Sequence, residues 1–360
     1  MIISRTPFRI SFLGGGTDYP AWYREHGGAV LGTSINKYCY LNVRYLPPFF
    51  EHRYNVVWSK IERCVTLDEI EHPAAREILR YMGITRGLEI HHDGDLPARS
   101  GTGSSSSFTI GLLNALYALQ GKMASKLQLT EEGIHIEQEI LKENVGSQDQ
   151  VFAAHGGFNQ ILFHQSGEIS VIPITIGNDR LKELDSHLML FYTGIRRTAS
   201  DVVATYSDKF NRRRRQLRVL QDLVEEGVNV LNGGKDLEDF GELLHEGWQI
   251  KREISESISN STIDSMYEAA RSAGAIGGKL SGAGGGGFML LFVPPERQAR
   301  VLECFKHLVH VPFQFESAGS QIIFCEQEED YEALERVRVG QNITPFRELQ
   351  DLKRTAEDSA

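Results

Sequence analysis

The sequence predicts an α+β protein of two domains, and three observations carry that prediction. Short strand-like runs mix with helical ones through the first half, a polar, turn-like stretch interrupts the chain at 175–184, and long helical patterns beyond it flank a few apolar strands. The chain has 360 residues, 41% hydrophobic and 24% charged, enough for one large or two medium cores.

Ile2 to Leu13 and Ala29 to Tyr45 alternate partially and read as strands, Ala74 to Met82 reads as a helix, and Leu88 to His92 as a strand. Leu129 to Glu143 is helical again, and Gly156-Gly157 punctuates the chain before strands at Phe158 to His164 and Ile169 to Ile174. Placing the boundary at the polar stretch gives an N-terminal domain of residues 1–180 and a C-terminal domain of 181–340. The second opens on an apolar strand, Leu188 to Tyr192, and continues with helices over about 201–231, 237–257 and 263–273. A strand at Phe288 to Val293, a helix at Pro295 to Leu308 and a last strand at Gln321 to Glu326 complete a short antiparallel sheet with helices packed on it. Residues 341–360 form a charged tail, expected to be helical.

The formal net charge of -10 argues against a sequence-independent nucleic-acid binder. The basic cluster Arg212 to Arg215 with Arg218 lies among acidic residues and reads as a solvated helix face. Cys39, Cys64, Cys304 and Cys325 form no C-x-x-C pair, so they are expected to be reduced thiols, mostly buried, in neither a zinc ribbon nor a disulfide framework. The opening MIISRTPFRISF alternates like a strand and lacks the apolar core of a signal peptide, and no stretch is long enough to span a bilayer. A soluble cytoplasmic protein without a membrane partner is the expectation.

Three glycine clusters carry the chemistry. In LPARSGTGSSSSFTIGLLNAL, residues 97–117, Phe108, Ile110, Leu112, Leu113 and Leu116 recur near helical spacing, which pins the Gly101-Thr102-Gly103 loop to a helix N-terminus. Such a terminus offers unpartnered N–H groups and partial positive charge to an anion, and Ser104 to Ser107 would supply a cap and further hydroxyls. Alone, the stretch is equally an ordinary serine cap after a glycine turn. KLSGAGGGGF, residues 279–288, satisfies G-x-G-x-x-G literally, yet a helical segment is read before it and the strand FMLLFV after it, the reverse of a dinucleotide-binding turn. In PFRISFLGGGTDY, residues 7–19, a strand bearing Arg9 leads into three glycines and Asp18, which on its own is a turn aspartate. No Walker A loop and no protein-kinase signature occurs.

In their order along the chain, RTPFRISFLGGGTDY, LPARSGTGSSSS and KLSGAGGGGF resemble the three signature motifs of the GHMP small-molecule kinases, and the resemblance extends over residues 1–326. Within that family GGGTDYPAWYREHGGAV, RYLPPFFEH, HHDGDLPARSG and VGSQDQVFAAHGGFN look most like bacterial kinases of D-glycero-D-manno-heptose 7-phosphate. The resemblance implies the two-domain GHMP kinase fold, with an N-terminal domain like the second domain of ribosomal protein S5 and a ferredoxin-like α+β C-terminal domain. It also implies transfer of a phosphoryl group from ATP, with Mg²⁺, to the anomeric hydroxyl of the heptose phosphate, by a monomer or homodimer. A kinase of fucose or galactose type and a non-catalytic sensor of sugar or ATP are the alternatives; retention of the proposed base argues against the sensor.

Roles follow from the same resemblance. Gly101, Thr102, Gly103, Ser104, Ser105 and Ser106 would wrap the ATP phosphates, and Ser105 would reach Mg²⁺. Glu137, twelve residues before Asp149, is the second metal ligand, with Glu139 as competitor; two residues apart on a helix they face different ways. Asp149 would be the catalytic base and Arg9 its partner, keeping it ionised and neutralising the transferring phosphoryl group. Asp18, Gly15, Gly16 and Gly284 are expected around the acceptor, where Gly15 and Gly16 replace a Glu-His pair of galactokinases and open room for a longer sugar. Arg196 and Arg197, or Arg99, are candidates for the sugar's own phosphate. Lys279 is either a nucleotide contact or a surface lysine, and His91 and His92 are strand-end residues without a third metal ligand.

Overall fold

The computed structural model describes residues 1–326 except 48, 99, 196–212 and 235, together with residues 331 and 336. In chain order the first elements are β1 (Ile2–Leu13), α1 (Pro20–His26), β2 (Gly28–Tyr45), β3 (Tyr54–Val57), β4 (Ile61–Cys64), α2 (Pro73–Tyr81) and β5 (Leu88–Gly94). Then come α3 (Ser104–Leu119), α4 (Lys126–His135) running into a π-helical turn at Ile136–Ile140, α5 (Gln148–His155), β6 (Phe158–Phe163), β7 (Ile169–Pro173) and α6 (Asn178–His187). The second half holds β8 (Leu188–Tyr192), α7 (Arg214–Asn232), α8 (Glu238–Ile254), α9 (Ser261–Ala273), β9 (Gly277–Leu280) and β10 (Phe288–Phe292). It closes with α10 (Gln298–Cys304), β11 (Val309–His310), β12 (Phe315–Glu316) and β13 (Gln321–Cys325).

Two long strands organise the first sheet, whose order is β13–β1–β2–β5–β3–β4, with β6 and β12 also paired to β2 and β7 paired to β6. Burial in β1 alternates through Arg5, and from Thr6 onward every residue is buried. The change marks where the strand enters a sandwich, with α3 and α5 packed against it and α7 and α8 also in contact. The residues from Phe8 to Phe12 still alternate apolar and polar in sequence, but Arg9 and Ser11 are buried as well, on the face that lines the cavity. The second sheet is β11–β8–β10–β9, antiparallel throughout, and β10 is wholly buried.

The structure departs from the sequence reading at several points. The polar stretch at the expected boundary contains α6, an amphipathic helix that buries only Leu184 and so leaves a weak periodic signal. The last strand does not complete the second sheet: β13 pairs with β1 and β12 with β2, covering an edge that would otherwise expose unpaired backbone groups. Before the Gly-rich turn lies β9 rather than a helix, so that turn joins two antiparallel strands, and a dinucleotide fold is excluded on the firmer ground that no helix follows it. Two of the four thiols are exposed, Cys304 and Cys325, and all four are free. No helix among the described residues is long and apolar enough to cross a membrane.

Candidate active site

One backbone carbonyl gathers the three glycine clusters. The Gly101 oxygen accepts 2.6 Å from the Arg9 guanidinium, which comes from the first cluster, and 2.8 Å from the Ser281 hydroxyl, which comes from the third. Gly101 stands at φ +81°, and a Cβ there would lie 2.4 Å from the Ser281 carbonyl oxygen, so only glycine fits both the conformation and the contact. Phe288 N–H donates to the Ser100 carbonyl and Arg9 N–H to that of Thr102, locking the loop between β1 and β10.

The loop delivers α3 with its N-terminus toward the same space. The expected serine cap is absent: Gly103 occupies the cap position at φ +78°, without a side-chain bond, because a serine would be strained in that left-handed conformation. The serines therefore fall inside the first turn and part company. Ser105 is exposed to the cavity, Ser106 donates 2.9 Å to Glu137 Oε2, and Ser107 donates 2.9 Å to the Pro7 carbonyl. The first intrahelical bond is Ser107 N–H to Gly103 O, so the Ser105 and Ser106 N–H groups have no helical carbonyl to reach.

Glu137 lies in the π-helical turn, 1% exposed, while Glu139 faces solvent beside Lys142. Its Oε2 also accepts 2.6 Å from Gln150, and its Oε1 has no partner. Burial pushes this carboxyl up to about 8. An unpartnered, buried carboxylate oxygen beside serine hydroxyls suits a divalent cation that takes its remaining ligands from phosphates and water. Among the described residues no set of three His, Cys, Asp or Glu side chains could hold a metal by itself.

Asp149, in the first turn of α5, faces the same cavity and is clamped by Arg9 through two bonds, Nε to Oδ1 at 2.7 Å and a terminal nitrogen to Oδ2 at 2.8 Å. Arg9 is 4% exposed; the pair is a planar fork that fixes the carboxylate's orientation. Beyond it Asp18, fully buried, accepts from Gly16 N–H at 2.9 Å and from Gln148 Nε2 at 2.9 Å, and burial pushes its carboxyl up. Gly15 and Gly16 line this end with Gly284, and a Cβ on Gly15 would meet the Ser11 hydroxyl at 3.5 Å and Gln148 Nε2 and Lys251 Nζ at 3.9 Å, ordinary contact distances. Lys251 from α8 and Lys279 from β9 also line it.

The opposite end of the cavity, whose volume is about 340 Å³, is aromatic. The His72 ring stacks on Phe108 at 4.5 Å, Trp58 meets His72 edge-on at 4.9 Å, and His92 meets Phe108 edge-on at 5.2 Å. Burial lowers His72 to about 4, which keeps that ring neutral at physiological pH.

The structure thus brings together Arg9, Gly15, Gly16, Asp18, Gly101, Gly103, Ser104, Ser105, Ser106, Glu137, Asp149 and Gly284 around one cavity, with Thr102 buried behind the loop. Arg99, Arg196 and Arg197 lie outside the described residues. Lys279 is not a surface lysine: it is 6% exposed, with its ammonium on the Phe12 carbonyl. Lys251, Gln148, Trp58 and His72 are not among the residues expected here, and His92 and Phe108, expected as a strand-end residue and a core position, line the cavity too. Lys251 had a signal, since it interrupts the buried stripe Phe240, Leu243, Leu244, Gly247, Trp248 and Ile254 at helical spacing. The aromatic group had none, being drawn from four separate elements.

Two family models match the chain: GHMP kinases N terminal domain over residues 69–157 and GHMP kinases C terminal over 220–310, together half of its length. This chain belongs to the GHMP kinases and is a phosphotransferase of that ATP-dependent family. Over 85% of its length it is 28% identical to a D-glycero-alpha-D-manno-heptose 7-phosphate kinase of Campylobacter jejuni, covering 93% of that protein. It is 24% identical over 82% of its length to a bifunctional fucokinase/GDP-fucose pyrophosphorylase of Arabidopsis thaliana, of which it spans 30%. Among solved structures, a D-glycero-D-manno-heptose 1-phosphate kinase from Bacteroides thetaiotaomicron superposes with a TM-score of 0.74 at 23% identity, covering 91% of this chain and 100% of that one. Lactococcus lactis galactokinase complexed with galactose gives a TM-score of 0.69 at 17% identity, over 89% and 94%. These two establish the fold.

Proposed function

We propose that this chain transfers the terminal phosphoryl group of ATP to the C1 hydroxyl of D-glycero-D-manno-heptose 7-phosphate, giving the 1,7-bisphosphate for synthesis of GDP-activated heptose. The observation that carries the transfer chemistry is the Arg9–Asp149 fork set against the glycine–serine loop: a fixed base on one side and a phosphate cradle on the other. The heptose assignment draws on the likeness to the Campylobacter jejuni enzyme and on the absence of side chains at Gly15 and Gly16.

In this reading the loop from Gly101 to Ser106 holds the triphosphate, and the aromatic end takes the adenine against Trp58 and His72. Ser105, Ser106 and Glu137 would hold Mg²⁺, which when bound offsets phosphate charge. Asp149 accepts the proton of the C1 hydroxyl as its oxygen bonds to the γ-phosphorus and the bridging bond to ADP breaks. An anomeric hydroxyl is more acidic than an ordinary alcohol, so the demand on the base is modest. Arg9 holds that carboxylate in place and lends positive charge to the transferring group. Asp18 orders the ring hydroxyls.

Release of ADP with Mg-ATP and a panel of heptose 7-phosphate, heptose 1-phosphate, sedoheptulose 7-phosphate, mannose, galactose, fucose and mevalonate tests the assignment. Turnover of heptose 7-phosphate far above the others is expected; turnover of an unphosphorylated sugar or of mevalonate in its place overturns it. Trp58→Ala is expected to raise KM for ATP by about 5–100-fold, the worth of one base–aromatic stack, with KM for the sugar much less affected. Gly15→Glu should raise KM for the heptose phosphate more than it lowers kcat, because the added side chain takes cavity room that the glycine leaves to the acceptor; an unchanged KM would remove the idea that the missing side chain serves the longer sugar.

A further inference from the structure

Two ammonium groups lie deep at the acceptor end, and the chemistry described above uses neither. Lys251 is 7% exposed and Lys279 6%, an unusual placement for lysine. Each makes one hydrogen bond, to a carbonyl: Lys251 Nζ to Gly282 O at 2.6 Å and Lys279 Nζ to Phe12 O at 2.9 Å. Among the described residues neither has a carboxylate oxygen within 4 Å; of the two acids that act on Lys251 from farther off, Asp18 is bonded to Gly16 and Gln148 and Asp149 to Arg9. An ammonium carries three donors, so both have donors to spare.

Lys251 Nζ would stand 3.9 Å from a Cβ on Gly15, an ordinary contact distance. The Ser11 hydroxyl and Gln148 Oε1, both lining the cavity here, are buried without partners. Burial lowers Lys251 to about 8 and lowers Lys279 well below the usual lysine range; Asp18 and Asp149 attract Lys251 and Asp18 attracts Lys279, while Arg9 repels both and Lys251 repels Lys279. Burying a cation away from water is costly unless it is paired, and of Arg9, Lys251 and Lys279, which line one cavity, Arg9 alone has a carboxylate in ion-pair contact among the described residues.

We propose that Lys251 and Lys279 form an anion subsite that reads a phosphate carried by the acceptor at the end remote from the reacting hydroxyl. This rests on the reading of the chain as a sugar-phosphate kinase and assigns the residues that make the phosphate a requirement. The ammonium groups, the Ser11 hydroxyl and the backbone beside Gly15 supply donors from several directions, as a tetrahedral dianion needs. Selectivity comes from burial: a neutral sugar leaves two cations desolvated and unpaired, whereas a phosphorylated one neutralises them.

Two measurements test this on the full chain. The first is the ratio of kcat/KM for heptose 7-phosphate to that for unphosphorylated heptose, in wild type, Lys251→Met and Lys279→Met. Each variant should lower the ratio by about 10–100-fold, the loss of a charged hydrogen bond. An unchanged ratio, or an equal fall in kcat for both sugars, overturns the proposal and assigns the lysines to the transferring phosphoryl group or to the fold. The second is calorimetric titration with inorganic phosphate while a non-hydrolysable ATP analogue with Mg²⁺ fills the phosphate loop. Wild type should bind phosphate and the double variant should not; equal binding by both also overturns the proposal. If wild type turns over neither heptose, the sugar-phosphate reading fails by itself, and the titration still decides whether the lysines bind phosphate.

Discussion

Asp149→Asn is expected to lower kcat by about 10²–10⁴-fold, the usual worth of a positioned base, with KM for ATP changed by no more than a few-fold. The substitution keeps the shape that Arg9 clamps and removes the capacity to take a proton. Two bonds of 2.7 and 2.8 Å hold the carboxylate at the mouth of α5, and the side chain keeps about a quarter of its surface open to the cavity. Measured with saturating Mg-ATP, a kcat within a few-fold of wild type would show that the acceptor loses its proton elsewhere and that the Arg9 fork serves only to order the site.

The second large effect is expected at Gly101. Replacing it with alanine puts a Cβ 2.4 Å from the Ser281 carbonyl oxygen at a backbone φ of +81°. The left-handed conformation alone costs about 1–2 kcal/mol for a residue with a side chain, and the backbone contact forces the loop and the β9–β10 turn apart. Because the Gly101 carbonyl is also what Arg9 and Ser281 bind, the displacement reaches the base and the phosphate cradle together. A shift of about 1 Å in such a constellation can lower the rate by about 10²-fold. Gly101→Ala should therefore lose activity by that order and melt several degrees earlier, whereas Gly83→Ala, at a left-handed glycine with nothing within 4 Å, carries only the local strain. Equal behaviour of the two variants would mean that the convergence on Gly101 is incidental.

Much of the fold was legible in the chain because its periods are clear. The stripe in residues 108–116 located α3, and the partial alternation of Ile2 to Leu13 located β1, though not its burial on both faces. Strand partners were not legible. Nothing local in Gln321 to Cys325 says that it pairs with β1 instead of β8, since pairing is decided by which edge is left open. At the site, glycines and acids announced themselves because turns and short motifs need particular residues at particular offsets. The serine cap was misplaced because composition shows that a cap residue is at hand, and only the backbone conformation shows that Gly103 must take the position. Lys251 was overlooked for the opposite reason: its neighbours signal a core helix, and the charge inside that stripe is itself the functional sign.

Phosphorus NMR of the product formed from heptose 7-phosphate, Mg-ATP and the purified protein tests the proposed transfer most directly. A single new phosphomonoester resonance coupled to the anomeric proton, with the 7-phosphate signal retained and one ADP formed per product, is the predicted result. A new phosphate at any other carbon, or ADP formed with inorganic phosphate and no sugar product, would contradict transfer to the C1 hydroxyl.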